Sequence, residues 1–303
     1  MKTLSLTFIL LLTSFSAMVA CPYCGCGNSN FQIGVLPTFS SAFFGVRYTY
    51  SHFDTEVPLQ SQFSHDYFHS TELWGGYKIG KFQVMAFVPY LSIHKLSDDG
   101  DINSSGLGDI TLLGNYQVYS KTKNGSETKR SISNTLWLGG GLKFHTGQST
   151  MNVNDPAFTV GDFSQSPGTG STDYILNANH NLIVGNNGLV TNFAYRINTA
   201  NAQRFQYGNR IYLNMAYFHS WSAGTLVVRP SLGLNFVVNE TNRYQSSDIV
   251  GSSGYILNMT AGVNFQRGKV GLLINGALPV SQDLYHGLTL SRERESVALT
   301  YSF

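Results

Sequence analysis

The sequence predicts an all-β protein: a transmembrane, antiparallel, up-and-down β-barrel of about twelve strands. Three observations carry that expectation. The segment Glu295-Ser-Val-Ala-Leu-Thr-Tyr-Ser-Phe303 puts Val297, Leu299, Tyr301 and Phe303 on one face of a strand and Ser296, Ala298, Thr300 and Ser302 on the other, one fit for lipid and one for water. The same period-2 grammar recurs upstream between turn residues. Short and long connections alternate between these segments, as in barrels with tight periplasmic turns and longer outer loops.

Composition agrees with this class. Charged residues make up 12% of the chain, about half the share of an ordinary soluble domain. Gly (31), Tyr (17) and Phe (20) are abundant, as alternating lipid-facing and water-facing positions require. Beyond the N-terminal region no stretch approaches the roughly 18 consecutive apolar residues of a spanning helix. A membrane role therefore falls to strands, and only strands closed into a barrel satisfy their backbone groups in lipid. The formal net charge is +2 and no basic run is present, so nucleic acid is not an expected partner.

The N-terminal region reads as an export signal over residues 1–20: Met1-Lys2, an apolar run from Leu4 to Leu12, and small residues from Ala17 to Ala20. Residues 21–42 form a second segment that holds all three cysteines, Cys21, Cys24 and Cys26, so no disulfide staples the main fold. Met18-Val19-Ala20-Cys21 is also a weak form of the lipoprotein box, and acylation of Cys21 stands beside simple cleavage. The C-x-x-C-x-C spacing offers soft thiolates to copper or zinc, while oxidation of Cys24 with Cys26 is equally open to an exported chain. Phe31, Ile33, Val35, Leu36 and Phe39 make this segment apolar enough to plug or line the periplasmic mouth of a barrel spanning 43–303.

The strands follow in order. Phe43–Phe53 sets Phe44, Val46, Tyr48 and Tyr50 against Gly45, Arg47, Thr49 and Ser51. Thr71–Ile79 and Phe82–Leu96 flank the tight Gly80-Lys81 turn. Gly108–Ser120 alternates Leu112, Gly114, Tyr116 and Val118 with Asp109, Thr111, Asn115 and Gln117. Leu136–His145 and Thr172–Val184 come next, then Leu189–Asn198 after Asn186-Asn187-Gly188, a hairpin signal. Arg210–Ser220, Thr225–Val238, Tyr255–Gln266, Val270–Leu278 and the terminal strand complete an even set. Long connections are expected at 54–70, 97–107, 147–171, 199–209, 239–254 and 279–294.

Two segments go beyond generic barrel grammar: Ser105-Gly-Leu-Gly-Asp-Ile-Thr-Leu-Leu-Gly-Asn-Tyr116 and Ser166-Pro-Gly-Thr-Gly-Ser-Thr-Asp-Tyr174. With Phe303 they make residues 43–303 resemble the transporter-like outer-membrane family named for the meta-cleavage pathway of phenol degradation. That resemblance implies an outer-membrane channel whose tie to aromatic compounds rests on pathway association. It fixes no solute, and the Cys-Pro-Tyr-Cys-Gly-Cys-Gly block lies outside it.

Under this alternation the lumen-facing positions carry Arg47, Glu72, Lys78, Asp109, Lys143, Asp173, Arg196, Arg210 and Arg229. Two readings stand: opposed rows of charge select solutes, or they pair across the lumen and hold the wall closed. Asp109 and Asp173 follow glycines at strand starts, where aspartate commonly binds turn backbone and where a mouth constriction would also lie. An enzyme is not expected. Phe68-His69-Ser70 and Phe218-His219-Ser220 set His beside Ser, but adjacent strand residues point to opposite faces. His69 and His219 read as strand-end residues at the membrane interface. No cofactor is called for.

The expected role is passive passage of small solutes, hydrophobic or aromatic ones among them, across a Gram-negative outer membrane. The expected partners are membrane lipids, the solute, and barrel-assembly machinery that reads Phe303. The alternative is a barrel that anchors the Cys21, Cys24 and Cys26 segment for periplasmic metal or redox work.

Overall fold

The computed structural model describes residues 42–57, 62–98, 100–125, 130–148, 163 and 165–303. The strands, in chain order, are β1 (Ala42–Val57), β2 (Gln62–Ile79), β3 (Phe82–Ser97), β4 (Ile102–Leu107), β5 (Thr111–Lys123) and β6 (Ile132–Lys143). They continue as β7 (Asp173–Val184), β8 (Asn187–Ile197), β9 (Phe205–Gln206), β10 (Arg210–His219), β11 (Trp221–Ala223) and β12 (Leu226–Asn239). The last are β13 (Arg243–Tyr244), β14 (Ser247–Asp248), β15 (Gly254–Arg267), β16 (Val270–Leu284) and β17 (Thr289–Ser302).

Each wall strand pairs antiparallel with its neighbours, β10 meets β12, and β17 returns to β1 with Phe43 opposite Ser302. The sheet is therefore a closed barrel. β4 and β5 share one stave, as do β10 and β11, giving twelve staves. No helix among the described residues is long and apolar enough to cross a membrane.

The alternation has the expected faces. Phe44, Val46 and Tyr48 of β1, Leu73 and Ile79 of β2, Tyr174 and Leu176 of β7, and Val297, Leu299 and Tyr301 of β17 all lie on the outer surface. Leu232 in the middle of β12 is 65% exposed; an apolar belt of this kind is a liability in water and the requirement in lipid. Four hairpins turn through a glycine at positive φ, namely Gly80, Gly185, Gly224 and Gly268. Glycine first in a two-residue loop is the mirror-image turn whose twist matches the flanking strands. The β7–β8 turn is thus Gly185-Asn186, with Val184 opposite Asn187, one step ahead of the expected Asn186-Asn187-Gly188.

Three of the expected long connections are folded as strand. β1 and β2 stay paired up to Val57 opposite Gln62, β3 runs to Ser97 and is joined there by β4, and β16 and β17 extend to Leu284 opposite Thr289. Beyond the lipid belt the outer face no longer has to be apolar, so the hydrophobic period fades while the backbone ladder continues. The 199–209 and 239–254 connections do leave the wall, and β9, β13 and β14 within them form a small separate sheet. The export signal (1–20) and the cysteine segment (21–42) lie outside the described residues, save Ala42, which opens β1.

Candidate functional site: the lumen

Inward positions on β1, β2, β3, β5 and β7 build an apolar wall from Phe43, Trp74, Met85, Phe87, Leu113 and Ile175. Phe43 meets Trp74 edge-on at 4.9 Å between ring centroids, an arrangement that favours the edge of one ring against the face of the other. Nearer the outer rim of the same lumen a second cluster joins Phe53, Phe68, Ile93, Ile256 and Leu284. Apolar lining is thus present at two heights.

A guanidinium belt lies with them. Arg47 and Glu72 are directly opposite in the β1–β2 register, form a hydrogen-bonded ion pair, and are both buried. The Arg47 guanidinium also lies 5.5 Å from the centre of the Trp74 ring. Arg196 and Arg210 are opposite each other on β8 and β10, and Arg210 Nε donates to Asn239 Oδ1 at 2.5 Å. Arg294 of β17 lies within electrostatic reach of Arg47, Arg210, Glu72 and Tyr212. Two donors in this region, Trp74 Nε1–H and the Tyr212 hydroxyl, are buried and make no hydrogen bond with the described residues.

The remaining expected charges divide. Lys78 caps the Trp137 ring at 5.3 Å, and half-buried Arg229 donates to Asn264 Oδ1 at 3.1 Å. Lys143, Asp109 and Asp173 form a separate knot near the outer ends of β6 and β7. Lys143 Nζ lies 2.7 Å from Asp109 and 2.9 Å from Asp173 and also donates to the Thr169 hydroxyl. Asp109 further accepts from Gly147 N at 2.9 Å and Thr169 N at 2.9 Å, while Asp173 accepts from the Ser171 hydroxyl at 2.9 Å and Thr199 N at 3.1 Å. The two glycine-rich segments meet in this knot: a Cβ on Gly168 would stand 2.5 Å from the Gly147 carbonyl carbon, so neither residue can carry a side chain there.

Amides fill much of the rest. Asn177 of β7 donates to Asn115 of β5 at 2.6 Å across Gly139 of the strand between them, and Asn258 donates to Asn235 on the neighbouring strand at 3.2 Å. Gly139 leaves the room that Asn115 occupies, since a Cβ there would collide with its amide oxygen. Outside the wall, the Phe163 ring stacks on Phe205 at 4.1 Å and Tyr207 donates its hydroxyl proton to the Phe163 carbonyl at 2.6 Å.

Three residues of the belt escaped the sequence reading. Arg294 fell inside the expected 279–294 connection, although its even position matches inward Ser296; Trp74 and Tyr212 are aromatic and carry no charge to mark them. His69 is not at a strand end but within β2, where Tyr48 and its Nδ1 share a 2.7 Å hydrogen bond on the outer face. His219 does close β10 and hydrogen-bonds Asn187 at 2.9 Å. The expected thiolate ligands Cys21, Cys24 and Cys26 lie outside the described residues.

No family model matches the sequence, and no curated protein does. Solved structures match the fold. An outer membrane channel from Pseudomonas putida F1 aligns at TM-score 0.59 and 14% identity over 91% of this chain and 99% of that one. The β domain of the Bordetella autotransporter BrkA aligns at TM-score 0.50 and 10% identity over 87% of this chain and all of the other. At these identities the likeness is one of architecture: an outer-membrane-type barrel.

Proposed function

We propose that the chain is a passive outer-membrane channel for small solutes, aromatic ones with a hydrogen-bond acceptor or carboxylate among them. The observation that carries this reading is the lumen's pairing of Phe43, Trp74 and Phe87 with Arg47, Arg210 and Arg294 around the unpartnered Trp74 N–H and Tyr212 hydroxyl. Buried donors left unmade cost more than they return, and a passing solute or water supplies the acceptor. The ring faces take up the apolar part of such a solute, and the guanidinium groups attract its anionic end.

The P. putida structure is described as an outer membrane channel, which supports the same role here. The resemblance of residues 105–116 and 166–174 to the meta-cleavage-associated family supports an aromatic cargo. Assembly follows from the terminal strand, where Phe303 packs on Tyr301 and Phe44 and its N–H bonds the Ala42 carbonyl; in this reading barrel-assembly machinery engages that end.

The test is uptake into liposomes containing the purified full chain, with benzoate, benzyl alcohol and lysine as labelled solutes. Benzoate and benzyl alcohol entering faster than lysine supports the proposal. Entry no faster than in protein-free liposomes overturns it.

A further inference from the structure

Outside the lumen, above the outward ring of Tyr48, Tyr50, Tyr67 and His69, one cluster serves neither lipid contact nor passage. His52 and Asp54 sit two apart on β1 and so share a face, and Asp54 is directly opposite His65 of β2. Asp54 Oδ1 lies 2.6 Å from His65 Nδ1 and 2.8 Å from His52 Nε2. One donor atom from each residue falls within 4.8 Å of the others.

The geometry points to a divalent transition-metal site, with His52 Nε2, Asp54 Oδ1 and His65 Nδ1 as ligands and zinc as its natural probe. Two imidazoles and a carboxylate are a donor set that suits zinc and its neighbours. Ligands around a tetrahedral ion at about 2.0–2.2 Å stand roughly 3.4 Å apart, so small outward movements of the three side chains admit the ion.

Three further observations favour ligation over an ordinary polar contact. Among the described residues His52 Nε2 is buried and makes no hydrogen bond although Asp54 Oδ1 lies 2.8 Å away, which leaves that nitrogen an unused donor atom beside the carboxylate. The other ring nitrogen, Nδ1, faces Glu293 Oε1 at 3.4 Å. A carboxylate behind the far ring nitrogen is the usual support of a ligating histidine. Arg292 Nε holds the other oxygen of Asp54 at 2.5 Å, which fixes the carboxylate and leaves Oδ1 turned toward the two imidazole rings.

The backbone explains how these groups came together. The β1–β17 register slips between Ser51 and Phe53, opposite Arg294 and Ser291, leaving His52, Arg292 and Glu293 out of the ladder. A bulge re-aims side chains at the cost of regular pairing, and here the re-aimed residues are the ligand His52, Glu293 behind it, and Arg292, which holds Asp54. Tyr67 stacks on His52 at 4.7 Å and Phe63 meets His65 edge-on at 4.3 Å, which restricts both rings.

The experiment is zinc titration of the untagged full chain in detergent by equilibrium dialysis, beside His52→Gln, His65→Gln and Glu293→Gln. One zinc per chain should disappear in each histidine variant, and Glu293→Gln should bind about tenfold more weakly. A parent that takes up no zinc at tens of micromolar, or histidine variants that bind as the parent does, overturns the site. Should a variant not fold, diethylpyrocarbonate labelling of the unaltered protein decides. Zinc should protect His52 and His65 and leave exposed His286 reactive; equal reactivity with and without zinc overturns the proposal.

Discussion

Asp109 and Asp173 grip the same ammonium group, Lys143 Nζ, from opposite sides at 2.7 and 2.9 Å. One lies between β4 and β5 and the other opens β7, so a single lysine on β6 ties together the two glycine-rich segments that stood out in the sequence. Because all three groups are buried, the knot is worth most when complete.

Lys143→Met should therefore cost about 3–5 kcal/mol, since two carboxylates are left facing each other without a counter-ion. Adding Asp109→Asn and Asp173→Asn should recover part of the loss. The midpoint of heat-induced mobility shift on gels reads both effects, and an unchanged midpoint for Lys143→Met would remove the knot from any account of stability.

Gly168→Ala should destabilise the same region by about 1–3 kcal/mol through overpacking, because its Cβ would press on the Gly147 backbone. Gly114→Ala is the matched control, having open space around its Cβ position. Limited proteolysis should cut within 144–172 faster in the first variant and at the parental rate in the second.

The belt makes a prediction about ions. With Arg47, Arg210 and Glu72 within electrostatic reach of Arg294, and Arg196 opposite Arg210, arginines outnumber the carboxylate in this belt among the described residues, and the parent channel should prefer chloride over potassium. Arg196→Glu and Arg294→Ala should each move the reversal potential in a KCl gradient toward cation preference. Potentials identical to the parent would assign these arginines to wall stability alone. Arg229→Glu should shift it less, as Arg229 is only half-buried and engages Asn264.

On the outer face, Leu232→Arg should cost about 2–4 kcal/mol, the usual penalty for a cation near the bilayer midplane. Folding into vesicles under a urea series measures it. The neighbouring Ser231→Arg points inward and should be tolerated far better.

Much of this was legible in the sequence because lipid enforces the pattern. From Phe44 to Tyr48 and from Val297 to Tyr301 every second residue must be apolar, and that constraint is visible without any alignment. The inward charges Arg47, Glu72, Lys143 and Asp173 followed from parity alone. What parity could not show is which inward groups meet. Lys143 joins Asp109 only because the chain between β4 and β5 leaves the ladder, and Arg294 was hidden because above the lipid the outer residues of β16 and β17 turn polar. The cluster of His52, Asp54 and His65 was invisible for the same reason: it sits where a connection was expected, and it depends on a register slip that no periodicity reports.

The seam between β1 and β17 sets a timetable for the chain. Phe43 has Gly76 of β2 on one side, but on its other side it pairs with Ser302 at the far end of the sequence, so the first stave keeps one bare edge until the last one has arrived. Contacts of such separation are paid for in loop entropy before they return anything. A barrel in assembly is thus an open sheet with a sticky margin until its last stave docks, and closing the ring is a single late event that a shortened C-terminus would deny it.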